Sequence, residues 1–184
     1  MTGASAGGVA LRVLGPGDID TYHALRQRGL AEHPEAFTSS VADEAGQSRE
    51  ALARRLASDA ARPHDVVIGA FDGEALIGVC GLDVDMREKV RHKGHVFGMY
   101  VPVERRGESV GFALIERIVA HARERGLRQL TLTVTADNLA ARRVYERAGF
   151  AVCGREPHAI RVNDRFHDKM SMILFLPAAR APRG

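Results

Sequence analysis

The chain has 184 residues, 45% apolar and 27% charged, with 26 Lys or Arg against 23 Asp or Glu for a formal net charge of +3. That length suits one domain with a full core, and the composition excludes a disordered, collagen-like or disulfide-scaffold protein. No apolar run approaches the roughly 20 residues that span a bilayer, so no membrane partner is expected, and the small charge excess does not indicate nucleic-acid binding. Residues 1–8, MTGASAGG, carry no basic region followed by an apolar core. They read as a flexible tail on a cytoplasmic protein rather than a signal peptide. Residues 9–14, VALRVL, alternate enough for a first strand, and Gly15-Pro16-Gly17-Asp18 closes it with turn chemistry. Asp18 reads as the N-cap of a helix through about Leu30, with Ile19, Tyr22, Leu25 and Arg26 on successive turns and Pro34 beyond its end. The connector over residues 32–46 holds Glu32, Glu35, Asp43 and Glu44 without a Lys or Arg. It reads either as a solvated loop or as a rim that attracts a cation. A second helix is expected over about residues 48–58.

Residues 66–71 and 76–84 flank Asp72-Gly73 with β-branched and aromatic residues, which predicts a hairpin. A charged stretch separates it from a strand over residues 95–101. Cys80 and Cys153 stand among apolar neighbours with no CxxC or His-Cys ligand spacing, so both are expected to be reduced core residues, with no metal site.

Residues 98–117, GMYVPVERRGESVGFALIER, organise the rest: a strand end, a basic glycine-bearing loop, then a helix. Pro102 cannot continue a central ladder, and from Val110 the apolar positions recur at helical spacing, Val110, Leu114, Ile118 and Val119 forming the stripe, with Gly126 as the stop. Gly107 and Gly111 flank Ser109, and residues this small let backbone N–H groups approach an anion at the positive end of a helix. The segment is neither a Walker loop nor a dinucleotide fingerprint. By itself it is a phosphate cradle or a plain serine-capped helix. Residues 129–135, QLTLTVT, alternate strictly, and a helix joins this strand to the one ending at Val101, so the two should run parallel. Asn138 then caps a short helix that Gly149 stops. Strands follow over residues 150–154 and 169–176, and 177–184 form a polar tail. The order is β-α-α-β-β-β-α-β-α-β-β, an α+β single domain over 9–176 with a mixed, mostly antiparallel sheet of six or seven strands and about four helices.

Two motifs in the right order and separation make the chain resemble the GCN5-related N-acetyltransferase (GNAT) superfamily over roughly residues 9–176. The loop pattern R/Q-x-x-G-x-G/A is filled by Arg106, Gly107, Glu108, Ser109, Val110 and Gly111, with Ser109 in place of the usual glycine. A serine presents its N–H but does not freely adopt positive φ. The pattern N-x-x-A-x-x-x-Y-x-x-x-G-F is matched by Asn138, Ala141, Tyr145, Gly149 and Phe150. On a helix rising about 1.5 Å per residue, Asn138 and Tyr145 would share one face about 10 Å apart.

The resemblance implies an acetyl-CoA-dependent transferase without a metal. Met99, Tyr100 and Val101 would pair with the pantetheine amides where the sheet splays, and backbone groups from Gly107 to Phe112 would take the diphosphate. An acceptor amine would attack the thioester directly, with a main-chain N–H near Val101 on the oxyanion. Tyr145 would protonate the departing thiolate, a phenol of pKa near roughly 10 serving a thiol of about 8 to 9. Where some members carry a glutamate base within the strand at residues 129–135, this chain has Thr133. His95 stands where others place a glutamate, and is the candidate base or a solvated strand-edge histidine. His167 and Asp168 are a second option or a turn pair, and Glu32 and Glu35 could face the acceptor. Two alternatives remain: a CoA-binding sensor or interaction module without turnover, and an acetyltransferase acting on a ribosomal protein or aminoacyl-tRNA. The sequence leaves monomer and homodimer open.

Overall fold

The structure is a computed structural model that describes residues 8–57, 62–107 and 109–177. The chain runs β1 (Val9–Val13), α1 (Ile19–Glu32), α2 (Val41–Ala45), α3 (Arg49–Leu56), β2 (Val66–Asp72), β3 (Ala75–Val84), β4 (Lys93–Tyr100), α4 (Val110–Glu124), β5 (Gln129–Thr135), α5 (Leu139–Arg147), β6 (Ala151–Val162) and β7 (Arg165–Phe175). Among the described residues all seven strands form one sheet in the order β1-β2-β3-β4-β5-β7-β6. Every neighbouring pair is antiparallel except β4 with β5.

Helices cover both faces at the centre, which is why β2, VVIGAFD, is buried at every residue but its last instead of alternating. On one face α4 lays Val110, Leu114, Ile115, Ile118 and Ala122 over Ile68, Cys80, Leu82, Val96 and Leu130. Each such fully buried Leu or Ile is worth about 1.5–3 kcal/mol. On the other, Ile19, Tyr22 and Leu25 of α1 and Leu52 and Leu56 of α3 cover Val67, Phe71, Val79 and Tyr100. α1 comes close to β4 because Gly29 has no side chain: a Cβ there would stand 2.9 Å from the Tyr100 ring.

Several sequence expectations need correction. Asp18 does not cap α1 with its side chain; its carboxylate accepts from Gly15 N at 2.9 Å and from Arg12 at 2.7 and 2.8 Å. The acidic connector is not a solvated loop. It folds into a 3₁₀ turn at Pro34–Ala36 and into α2, where Ser40 Oγ accepts from Asp43 N and the Asp43 carboxylate accepts from Ser40 N. Glu44 is 1% exposed. Cys153 is exposed, while Cys80 is buried and its thiol is pushed up to about 12 by burial. The last two strands are longer than expected. They form a hairpin through Asn163 and Asp164, both with left-handed φ. The expectations for residues 1–7, for 178–184 and for Glu108 fall outside the described residues.

Candidate active site

β4 and β5 pair only at Lys93 with Gln129, Gly94 with Leu130 and His95 with Thr131. Beyond that, β4 continues to Tyr100 and β5 to Thr135 with no ladder between them. The cause lies in β4. Gly98 holds φ +62, and the β3–β4 register slips between Gly81↔Phe97 and Val79↔Tyr100, a bulge that turns the strand aside. The β5-facing backbone of residues 96–100 therefore offers amide donors and acceptors that an extended amide ligand can pair like an added strand.

A cavity of about 580 Å³ opens there. Its walls are Met99, Tyr100 and Val101 at the end of β4, Arg106, Gly107 and Ser109 in the loop, Val110, Gly111 and Phe112 in the first turn of α4, and Asn138 and Ala141 at the start of α5. A Cβ on Gly107 would meet nothing within 4 Å, and one on Gly111 would meet only Val101 Cγ2 at 3.9 Å, so the loop backbone fronts open space. Ser109 takes φ 60, ψ 13, and its side chain does not cap α4. The first N–H groups of α4 thus lack a side-chain cap at the positive end of a fifteen-residue helix. This cradle suits a diphosphate. Left-handed backbone at a serine costs about 1–2 kcal/mol, a strain held at the loop itself.

α1 is tied to this loop. Arg28 donates to Glu32 at 2.7 Å and to both carboxylate oxygens of Glu104 at 2.6 and 2.8 Å. These bonds from Arg28 hold the Glu104 carboxyl down at about 2. Tyr100 donates to Glu32 Oε2 at 2.6 Å, and Arg106 approaches His33 Nε2 at 2.6 Å. The sequence reading missed Arg143 and Arg147, which line the cavity from α5. Arg147 lies 3.7 Å over the Phe112 ring. Their spacing of four was visible and puts both on one helix face.

The other predicted residues divide. Asn138 lines the cavity, and its Oδ1 accepts from Ala141 N at 3.1 Å. Tyr145 does not line it; the ring is 7% exposed, edge-on to Phe150 with centroids 6.0 Å apart. Asn138, at φ −79, ψ 70, is the N-cap of α5. Burial, and then Cys80, raises the Tyr145 phenol far above its ordinary value. Cys80 is the β3 residue at the level of the β4 bulge. Glu35 lines the cavity, and its carbonyl accepts from Thr135 Oγ1 at 2.7 Å. Glu32 is engaged with Tyr100 and Arg28. His167 and Asp168 border neither this cavity nor the one holding His95; Asp168 accepts from Arg155 and from His158 N. His95 is exposed across from Asp83 and does not line this cavity. Among the described residues no helix is long and apolar enough to cross a membrane.

The chain belongs to the acetyltransferase (GNAT) family, whose pattern matches residues 24–150. It is 31% identical over 150 residues to a mycothiol acetyltransferase of Cellulomonas flavigena, covering 78% of this chain and 41% of that one. It is 32% identical over 144 residues to the protein of the same name from Thermobispora bispora, covering 78% and 46%. The chain thus spans less than half the length of these curated relatives. Among solved structures, a GNAT-family acetyltransferase from Streptococcus pneumoniae superposes with TM-score 0.82 at 23% identity, covering 91% of this chain and 99% of that one. A putative acetyltransferase from Salmonella typhimurium, solved with its cofactor acetyl-CoA, superposes with TM-score 0.77 at 18% identity, covering 96% and 98%. These likenesses bear out the α+β GNAT fold and the mixed sheet.

Proposed function

We propose that this chain transfers the acetyl group of acetyl-CoA to a primary amine by direct attack on the thioester. The observation that carries the reading is the splay between β4 and β5, which opens on a cavity bounded by the Arg106–Gly111 loop at one end and the Gly98 bulge at the other. Main-chain groups of Met99, Tyr100 and Val101 align the amide-bearing arm, and the N–H groups from Gly107 to Phe112 hold the diphosphate, aided by the charges of Arg143 and Arg147. The amine nitrogen forms a bond to the carbonyl carbon, and the N–H at Val101 supports the oxyanion. The C–S bond then breaks, and Tyr145 gives its proton to the departing sulfur. The raised pKa keeps this phenol protonated throughout the neutral range. His95 accepts the proton that the amine loses.

Two measurements test this. Acetyl-CoA at millimolar concentration raises the melting temperature by mass action, and an amine panel including free amino acids, peptide N-termini and aminoacyl-tRNA yields free thiol with at least one member. Gly111→Val places a branched side chain where the diphosphate would lie, with room for it in the fold; the shift is lost while the unliganded melting temperature stays within a few degrees. A normal acetyl-CoA shift in Gly111→Val overturns the cradle.

A further inference from the structure

A second cavity, of about 570 Å³, opens on the face where α1, α2 and α3 cover β2, β3 and β4. Arg26, Arg54, Arg55 and Arg62 stand there against Glu44, Asp65 and Asp83, with His95 beside them. One carboxylate serves two guanidinium groups: Glu44 Oε1 accepts from Arg26 Nε and Nη2, both at 3.3 Å, and lies 3.7 Å from Arg55 Nη1. Arg62 pairs with Asp65 at 2.6 Å. Arg54, on the exposed side of α3, adds a further positive charge. Burial raises the Asp83 carboxyl above its ordinary range. The cavity is net positive.

Arg26 is only 9% exposed, and its Nη1 has no hydrogen-bond partner. That nitrogen stands 3.5 Å from where a Cβ on Gly98 would lie. The guanidinium sits 4.7 Å from the centre of the Phe37 ring, which lines the first cavity. Arg26 therefore forms part of the partition between the two cavities, at the bulge where β4 leaves β5. A buried charged N–H without an acceptor is unfavourable unless a ligand supplies one.

We infer that the second cavity receives the anionic part of the acceptor, an amine that also carries a carboxylate or phosphate, held by Arg26, Arg54 and Arg55 while its amino group is presented at the β4 bulge. This rests on the acetyl-transfer reading above and adds the class of acceptor. In the acidic connector Glu44 Oε1 is committed to Arg26 and Arg55 and Asp43 to Ser40, while Glu44 Oε2 is buried without a hydrogen-bond partner; the four guanidinium groups still outnumber the three carboxylates of the lining. A purely cationic amine meets like charge in this cavity, and an anionic group meets its complement.

The test uses the CoA-bound protein and two matched pairs of probes, L-methionine against L-methioninamide and phosphoethanolamine against ethanolamine. Binding is read by calorimetry and turnover by thiol release. In at least one pair the anionic member binds about tenfold or more tightly than its neutral partner, and which pair does so tells carboxylate from phosphate. Arg54→Gln, an exposed change, cuts that preference about threefold, Arg55→Gln cuts it further and Arg55→Lys restores part of it. The acetyl-CoA thermal shift is unchanged in all three, because none borders the first cavity. Equal affinities in both pairs, a preference for the neutral members, no binding of any probe at about 10 mM, or a preference indifferent to Arg54 and Arg55 overturns the inference. Arg55-dependent binding without thiol release from any amine keeps the anion site and overturns acetyl transfer; thiol release from the neutral amines alone does the reverse.

Discussion

Tyr100 donates its phenolic O–H to Glu32 Oε2 at 2.6 Å, joining the last residue of β4 to the last residue of α1 beside the splay. This bond, and after it the bond from Arg28, holds the Glu32 carboxyl below its ordinary range. A carboxyl lowered in the folded state contributes stability that is present above its unfolded pKa and lost as pH falls through the folded one. Tyr100→Phe keeps the ring against Gly29 and removes the bond. Melting temperature plotted against pH should therefore fall less steeply below about pH 4.5 in the variant than in wild type. Superimposable acid limbs would show that the bond is not made in solution.

Ser109 invites the opposite kind of change. Its left-handed backbone is strained, and glycine adopts that geometry without a Cβ penalty. Relief of about 1 kcal/mol is offset in part by the greater freedom of glycine in the unfolded chain. Ser109→Gly should melt at or slightly above the wild-type temperature and bind acetyl-CoA at least as tightly. A clear loss of affinity would assign the serine hydroxyl a direct contact with phosphate.

Tyr145→Phe removes one hydroxyl from a ring held by Phe150, so the fold should stand while kcat falls about ten- to a thousandfold with acetyl-CoA affinity unchanged. A second readout follows from burial. A phenol whose folded pKa is raised contributes stability that is present below its unfolded value and lost as pH climbs past about 10. Wild type should lose stability there more steeply than the variant. An unchanged kcat where chemistry limits the rate removes Tyr145 from the proton-transfer step.

His95 faces the second cavity and not the first, opposite Asp83 on β3. If it takes the proton of the incoming amine, activity in wild type rises with pH from the acid side, and His95→Gln flattens that rise while leaving the acetyl-CoA thermal shift intact. A pH profile of His95→Gln that overlays wild type moves the base elsewhere, to a water chain or to an acceptor that arrives deprotonated.

The parts of the fold legible in the sequence are those decided within a few residues. Asp72-Gly73 sets a hairpin because Gly73 takes φ +58, β5 announces itself by strict alternation, and Asn138 caps α5 through a bond only three residues away. α2 was hidden because its signal, Ser40 with Asp43, sits in an acidic stretch that resembles a solvated loop. The length of the β6–β7 hairpin was hidden because its exposed, polar residues 155–168 show no apolar periodicity.

By itself the sequence determined the family, the loop that fronts the first cavity and the order of the elements along the chain, since motif spacing and local periodicity survive without knowledge of distant partners. Only the tertiary structure decided which side chains share a space. Arg26 reads as one position on the apolar stripe of a helix, and its meaning comes from Glu44, eighteen residues on, and from a bulge at Gly98 that opens the sheet. Tyr145 and Asn138 read as one face, yet of the two only Asn138 lines the first cavity, while Tyr145 is buried against Phe150. His95 and Met99 lie on one strand four residues apart, yet they border different cavities, because the bulge between them changes which side of the sheet each residue faces. Contacts between residues far apart in the chain, and one backbone irregularity, set these outcomes, and neither leaves a periodic trace in a sequence.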